Sequence, residues 1–318
     1  MTTRYMALAM ISICASLGLA AGRGCAEERA MNSKEKRVVR KTYGDGKWFP
    51  TDRRQLFEQV SASIKAAEAK PGKGSLLGLI SPHAGYVYSG KVAGYSFKVL
   101  KDRVDAGDAP ETVVVIGFSH RGPFAGVALM DGDAISTPLG ETALDKEANE
   151  FLASKSDRIR AFYDPHAGEH SAENQIPFVQ VASPGAKLVV AIIGDHDGKT
   201  FSDLSGALVA LSKQKRIIAV ASTDLLHDPN YDLVTRTDKN TLARIVSMDG
   251  EKLAASWTYR NQVCCGIGPV LTLVEFAKAK GCKEGVLLHY RNSGDDFPEG
   301  RGNWVVGYGA VSFSIPKP

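Results

Sequence analysis

The chain has 318 residues, 44% of them hydrophobic and 23% charged. It contains no low-complexity tract or repeat, and is long enough for one large α/β domain. Residues 1–47 hold nine Lys and Arg against four acids, so that segment is +5 and the remainder of the +4 chain is −1; a near-neutral body leaves no electrostatic footprint for nucleic acid.

Arg4 precedes an apolar stretch, Tyr5 to Gly22, and small residues follow at Gly18-Leu19-Ala20 and Gly24-Cys25-Ala26. That order predicts an export leader in residues 1–26, hence a periplasmic or secreted protein. A retained membrane anchor is the alternative, at the lower limit of spanning length. Residues 27–47 are charged and read as a linker, with one domain expected over 48–318. Of five cysteines, Cys14 and Cys25 fall in or beside the leader, leaving Cys264, Cys265 and Cys282. Three cysteines, two of them adjacent, exclude a small disulfide scaffold.

Within the domain, the patterning predicts a helix over 56–69, a strand at Leu76–Ile80, a helix over 92–100 and a strand at Val113–Gly117. Further strands are expected at Leu188–Ile193, Ile217–Ala221, Gly285–His289 and Trp304–Phe313. Apolar strands separated by helices predict an α/β fold with a mainly parallel central sheet flanked by helices.

Three of these strands end in polar residues: the first in His83, the second in His120, the fourth in Asp224 and His227. Sites in such sheets form at the carboxyl ends of strands, so the fold can gather these side chains. Cys265 precedes a predicted helix, where the dipole and free amides favour its thiolate. Two imidazoles and one anionic ligand leave open coordination positions; a thiolate as the anion admits Cu(I) or Zn(II) beside Fe(II). No CxxC, HExxH or EF-hand spacing occurs, nor a Walker or dinucleotide-binding loop. His289, within a strand-like run, is expected to be structural or exposed; His196 follows a strand end, where it could line the pocket; His166 is not counted among the candidate ligands.

The segments Ser81-Pro82-His83-Ala84-Gly85-Tyr86-Val87-Tyr88-Ser89-Gly90, Gly117-Phe118-Ser119-His120, Thr137-Pro138-Leu139-Gly140, Glu169 to Phe178, Ser222 to His227 and Cys265 to Val270 stand in series. Together they resemble the Memo-like family, also called AmmeMemoRadiSam system protein B, over residues 48–314. The resemblance implies a fold similar to class III extradiol dioxygenases, which open catechol rings with Fe(II) and dioxygen. It further implies His83, His120 and Cys265 as metal ligands, with His227 as acid–base residue and Asp224 orienting it. His170 and Glu173, beside Glu169, would lie at the pocket edge. A small phenolic substrate or a peptide would then be the ligand, and a radical-SAM protein a partner.

Two other functions fit the same residues. A metal-free hydrolase would use Cys265 as nucleophile, His227 as base and Asp224 as its orienter. A binding protein for peptides would use the pocket for recognition alone.

Overall fold

In the computed structural model, which describes residues 37–315, the first element is β1 (Val39–Lys41). There follow α1 (Arg53–Ala66), β2 (Ser75–Ser81), α2 (Tyr86–Asp105), β3 (Thr112–Phe118), β4 (Val127–Leu129), β5 (Ala134–Thr137), β6 (Gly140–Ala143), α3 (Lys146–Ala153) and β7 (Ile159–Ala161). The second half supplies α4 (Ile176–Ala182), β8 (Lys187–Ile193), α5 (Gly198–Leu211), β9 (Ile217–Ser222), β10 (His227–Asp228), α6 (Tyr231–Val246), α7 (Gly250–Ser256), α8 (Ile267–Ala279), β11 (Gly285–Asn292), α9 (Ser293–Asp296) and β12 (Val305–Ile315).

Among the described residues, one nine-stranded sheet runs β10-β12-β2-β9-β3-β8-β4-β7, with β11 also paired to β12. Its centre, β2-β9-β3-β8, is parallel; β12 joins β2 and β4 joins β8 in antiparallel fashion at the flanks. This is the expected α/β architecture, a large central sheet covered by helices. The central strands read as unbroken apolar runs because both faces are buried. Val113 and Val115 of β3 join the core that includes Leu56, Val60, Phe97 and Phe178. Val114 and Ile116 join the opposite core, with Leu204, Leu208, Val270 and Phe276. Each such fully buried side chain contributes about 1.5–3 kcal/mol relative to exposure.

Beyond end shifts of about three residues, as in α1 (expected over 56–69, found at Arg53–Ala66), two boundaries differ more substantially from expectation. Helix α2 begins at Tyr86, well before residue 92. Its first turn carries β-branched, aromatic and glycine residues of weak helix propensity. Tertiary anchors override that weakness: the Tyr86 N–H donates to Trp48 O at 2.9 Å, and Tyr86 Oη donates to Asn174 O at 2.7 Å. At the other end, residues 39–47 are not an extended linker. β1 pairs in parallel with β5 in a small sheet β1-β5-β6, and an isolated bridge joins Asp45 to Phe49. The expected leader, residues 1–26, lies outside the described residues. Among the described residues no helix is long and apolar enough to cross a membrane.

Candidate metal centre

The parallel centre of the sheet aims β2, β3 and β9 at one edge, and the chain turns there into Pro82-His83, Ser119-His120 and Thr223-Asp224. A cavity of about 650 Å³ opens at that edge. His83, His120, His170, Asp224 and His227 line it, with walls from Trp48, Tyr88, Phe297, Trp304 and Tyr308. One ligand atom from each of His83, His120 and His170 lies within 4.8 Å of the others. His170, read from sequence as a residue of the pocket edge, therefore stands with the two predicted ligands. Its ring stacks on Trp48, centroids 4.0 Å apart and planes at 5°.

The neighbours of these imidazoles decide which nitrogen is free. Ser222 Oγ donates to Ser171 O and accepts from Gln175 Nε2 at 2.8 Å. Its proton being committed, Ser222 Oγ serves His83 as an acceptor, so His83 Nδ1 donates to it across 3.0 Å and Nε2 carries the lone pair. The Asn174 side-chain amide holds the same turn by donating to His83 O at 2.5 Å. Glu169, with no exposed side-chain surface, faces two rings: His120 Nδ1 at 3.0 Å and His170 Nδ1 at 3.5 Å. It also accepts from the His120 N–H at 2.6 Å and the Ser171 N–H at 2.8 Å. His83 and His120 thus keep Nε2 unengaged by the groups that fix Nδ1, while Glu169 faces His170 Nδ1 from a longer range. Orientation of a histidine by a carboxylate or hydroxyl behind it is how proteins prepare metal ligands.

Cys265 lies on the protein side of the cluster. Its Sγ is 3.3 Å from His83 Nε2 and also hydrogen-bonds His120. The Asp224 N–H donates to the sulfur at 3.3 Å. The expectation that the helix end favours the thiolate is not met without a metal: burial pushes the Cys265 thiol up, and its bond to His120 only partly offsets this. Cys264 belongs to the core, its thiol pushed up to about 12 by burial.

Charges in the cluster are strongly coupled. Burial would lower His120, but hydrogen bonds to Cys265 and Glu169 outweigh it and carry its pKa to about 10. Glu169 falls to about 2; burial works against this, and the bond to His120 prevails. Burial holds His83 well below the usual imidazole range, and with neighbouring His83 takes His170 to about 3. The metal-free cluster therefore contains one imidazolium–carboxylate pair and two neutral imidazoles.

Asp224 and His227 face the cavity from the loop after β9. Burial raises Asp224 and lowers His227, while each opposes the other's shift. Asp224 Oδ1 accepts from the His83 N–H at 2.7 Å, so the carboxylate orients the His83 turn as well. Glu173 does not line the cavity. It sits in the 3₁₀ turn Glu173–Gln175, accepts the Tyr43 N–H at 2.7 Å, and burial raises it to about 8. Its role is to clamp the segment that carries Trp48 over the site. The discounted histidines lie elsewhere: His166 is buried and bonded to Ala128 O, His289 stacks on Tyr95, and His196 stacks on Trp257.

Sequence reasoning missed Ser222 and Gln175 as orienters of His83, and the far wall from Phe297 to Tyr308. Ser222 and Gln175 fall inside the Ser222–His227 and Glu169–Phe178 segments, but nothing local ties them to His83; the register of β9 against β2 sets Ser222 beside it, the turn Glu173–Gln175 delivers Gln175, and the pairing of β12 with β2 supplies the far wall.

A family model described as "Memo-like protein" matches residues 40–312. A MEMO1 family protein from Methanopyrus kandleri is 32% identical over 278 residues, covering 84% of this chain and 96% of that one. Another from Nitrosopumilus maritimus is 32% identical over 284 residues, covering 87% and 100%. A solved structure of an uncharacterized Escherichia coli K12 protein is similar over 68% of this chain and 91% of its own, at 13% identity and a TM-score of 0.39, too distant to build on. Matched over most of its length by the family model and by relatives above 30% identity, the chain belongs to the Memo-like family.

Proposed function

We propose that this protein binds a redox-active transition metal, Fe(II) first and copper second, and uses it in dioxygenase-like or related redox chemistry on a small phenolic ligand. The observation that carries the reading is the convergence of three imidazoles, two of them with Nδ1 hydrogen-bonded from behind and the third facing the same carboxylate, at a cavity large enough for an aromatic molecule. The donor set fits: imidazoles suit iron, copper and zinc, and the adjacent thiol adds a soft ligand. His83, His120 and His170 would hold the ion, with Cys265 as the fourth donor. When bound, the ion supplies Lewis acidity and an electron-transfer centre.

The chain's own residues do the rest. Glu169 and Ser222 fix ring orientation. Trp48, Tyr88, Phe297 and Trp304 present flat apolar walls to an aromatic ring. His227, its pKa lowered by desolvation at the cavity wall while its ring stays open to solvent, is suited to take a phenolic proton, with Asp224 stabilising the imidazolium formed. The test is metal content of chain purified without oxygen, beside His83→Ala and His120→Ala. About one iron or copper per chain, lost in both variants, is expected; protein that also refuses added Fe(II), Cu(I) and Zn(II) would end the reading.

The 3.3 Å separation of Cys265 Sγ and His83 Nε2 favours one second reading, a thiol nucleophile. The base would then be His83 and not His227. A thiol-directed reagent reacting no faster at Cys265 than at Cys282 would exclude it.

A further inference from the structure

Asp238, on α6, has no exposed surface, and nothing in the metal site uses it. Its Oδ1 accepts the Leu226 N–H at 3.0 Å, and its Oδ2 accepts Tyr290 Oη–H at 2.9 Å. Asn292 Nδ2 donates to Tyr290 Oη at 3.4 Å and to Thr235 Oγ1 at 3.1 Å, closing the network between β11 and α6. β12 leaves room for the carboxylate: a Cβ at Gly307 would lie 1.8 Å from Asp238 Oδ2. The same glycine accepts the Leu225 N–H at 2.8 Å and donates to Leu226 O at 3.1 Å. The loop from Asp224 to His227 is thereby gripped at its middle, by the Gly307 peptide on one side and the Asp238 carboxylate on the other.

We propose that Asp238 is a positioning residue of the site: it fixes the Asp224–His227 loop through the Leu226 amide and ties that loop to β11 through Tyr290. The proposal rests on the assignment of His227 and Asp224 as the acid–base pair. Burial raises the Asp238 carboxyl to about 7. The titratable groups facing it are Tyr290 on β11 and Cys264 ahead of α8, both pushed upward by burial and uncharged near neutrality. β12 presents only Gly307, and His227 follows the Leu226 partner on β10. An ionised carboxylate is the stronger acceptor, so the loop is held more firmly as pH rises through about 7.

The experiment is heteronuclear NMR of the metal-free full chain between about pH 5.5 and 8.5, a window bracketing that titration. In the parent, the Leu226 amide shift should follow a step with a midpoint near neutral pH, distinct from the lower step of the His227 ring itself. Asp238→Asn keeps an acceptor for Leu226 and removes the step at the Leu226 amide. Asp238→Ala combined with Gly307→Ala lets the new methyl occupy the vacated space. In that double variant Leu226 should exchange about tenfold faster or more, while Val114 in β3 stays protected. A neutral-pH step surviving at the Leu226 amide in Asp238→Asn, or parental Leu226 protection in the double variant, overturns the proposal. If the double variant does not fold, Asp238→Asn alone decides. Metal content is read separately, so a failed metal site and a failed Asp238 role give different results.

Discussion

Replacing Glu169 by Gln tests the claim that one carboxylate prepares two ligands. The exchange is isosteric, but an NH₂ must replace one oxygen. If Oε1 remains oxygen, the His120 N–H loses its acceptor at Oε2; if the amide flips, His120 Nδ1 and the Ser171 N–H lose theirs. At least one buried donor is stranded, costing about 1–3 kcal/mol of stability. Losing the oriented charge behind His120 and His170 should weaken metal affinity about 10- to 100-fold. Chelator-competition titration with Fe(II) or Zn(II), beside urea unfolding of the metal-free chain, separates the two effects. Lower stability with affinity within about twofold of the parent would refute the orienting role. The same pair gives metal-free stability a pH profile. His120 has a raised pKa, so its contribution is complete below pH 6.5 and is lost as pH rises through about 10. Glu169 has a lowered pKa, so its contribution is complete above pH 4.5 and is lost as pH falls through about 2. Denaturation midpoints should therefore decline above pH 6.5 in the parent and less steeply in Glu169→Gln, where the Cys265 contact with His120 remains.

Metal uptake at pH 7 should release about two protons, one from the His120 imidazolium and one from the Cys265 thiol, measurable by calorimetry in buffers of different ionisation enthalpy. Release of none would mean that neither group ligates. Asp145→Ala should cost about 3–5 kcal/mol in urea unfolding, because the buried carboxylate accepts from Lys215 Nζ at 2.7 Å, from Thr112 Oγ1 and from the Ala148 N–H. A loss below about 1 kcal/mol would show that solvent screens the pair. Gly94→Ala should destabilise although helix propensity alone favours Ala by about 1 kcal/mol. The new Cβ would meet Ser63 O at 2.3 Å, where α1 and α2 approach most closely, and a variant melting above the parent would contradict that contact.

The β-runs were legible because strands buried on both faces must be apolar throughout, which a single sequence displays directly. His83, His120 and Asp224 were legible for a related reason: a polar residue straight after such a run sits at the strand's carboxyl end. His170 was harder to place, since it lies in a loop and reaches the cluster only through Glu169 behind it and Trp48 stacked on it. The segment 39–47 misled because its charge and turn residues look like linker. Its order comes from long-range partners, β5 and the Glu173 carboxylate, that no local pattern reveals. The thiol of Cys265 was misjudged because dipole arguments assume an exposed helix end, whereas here burial prevails. Asp238 went unnoticed for the opposite reason, since a charged residue in an amphipathic helix ordinarily faces water.

X-ray absorption at the metal edge of the Fe(II)-loaded chain tests the central claim most directly. Imidazole scattering with nitrogen near 2.0–2.2 Å and one sulfur at about 2.3 Å is the result predicted for His83, His120, His170 and Cys265. A first shell of oxygen donors alone, with no imidazole scattering, would contradict the site.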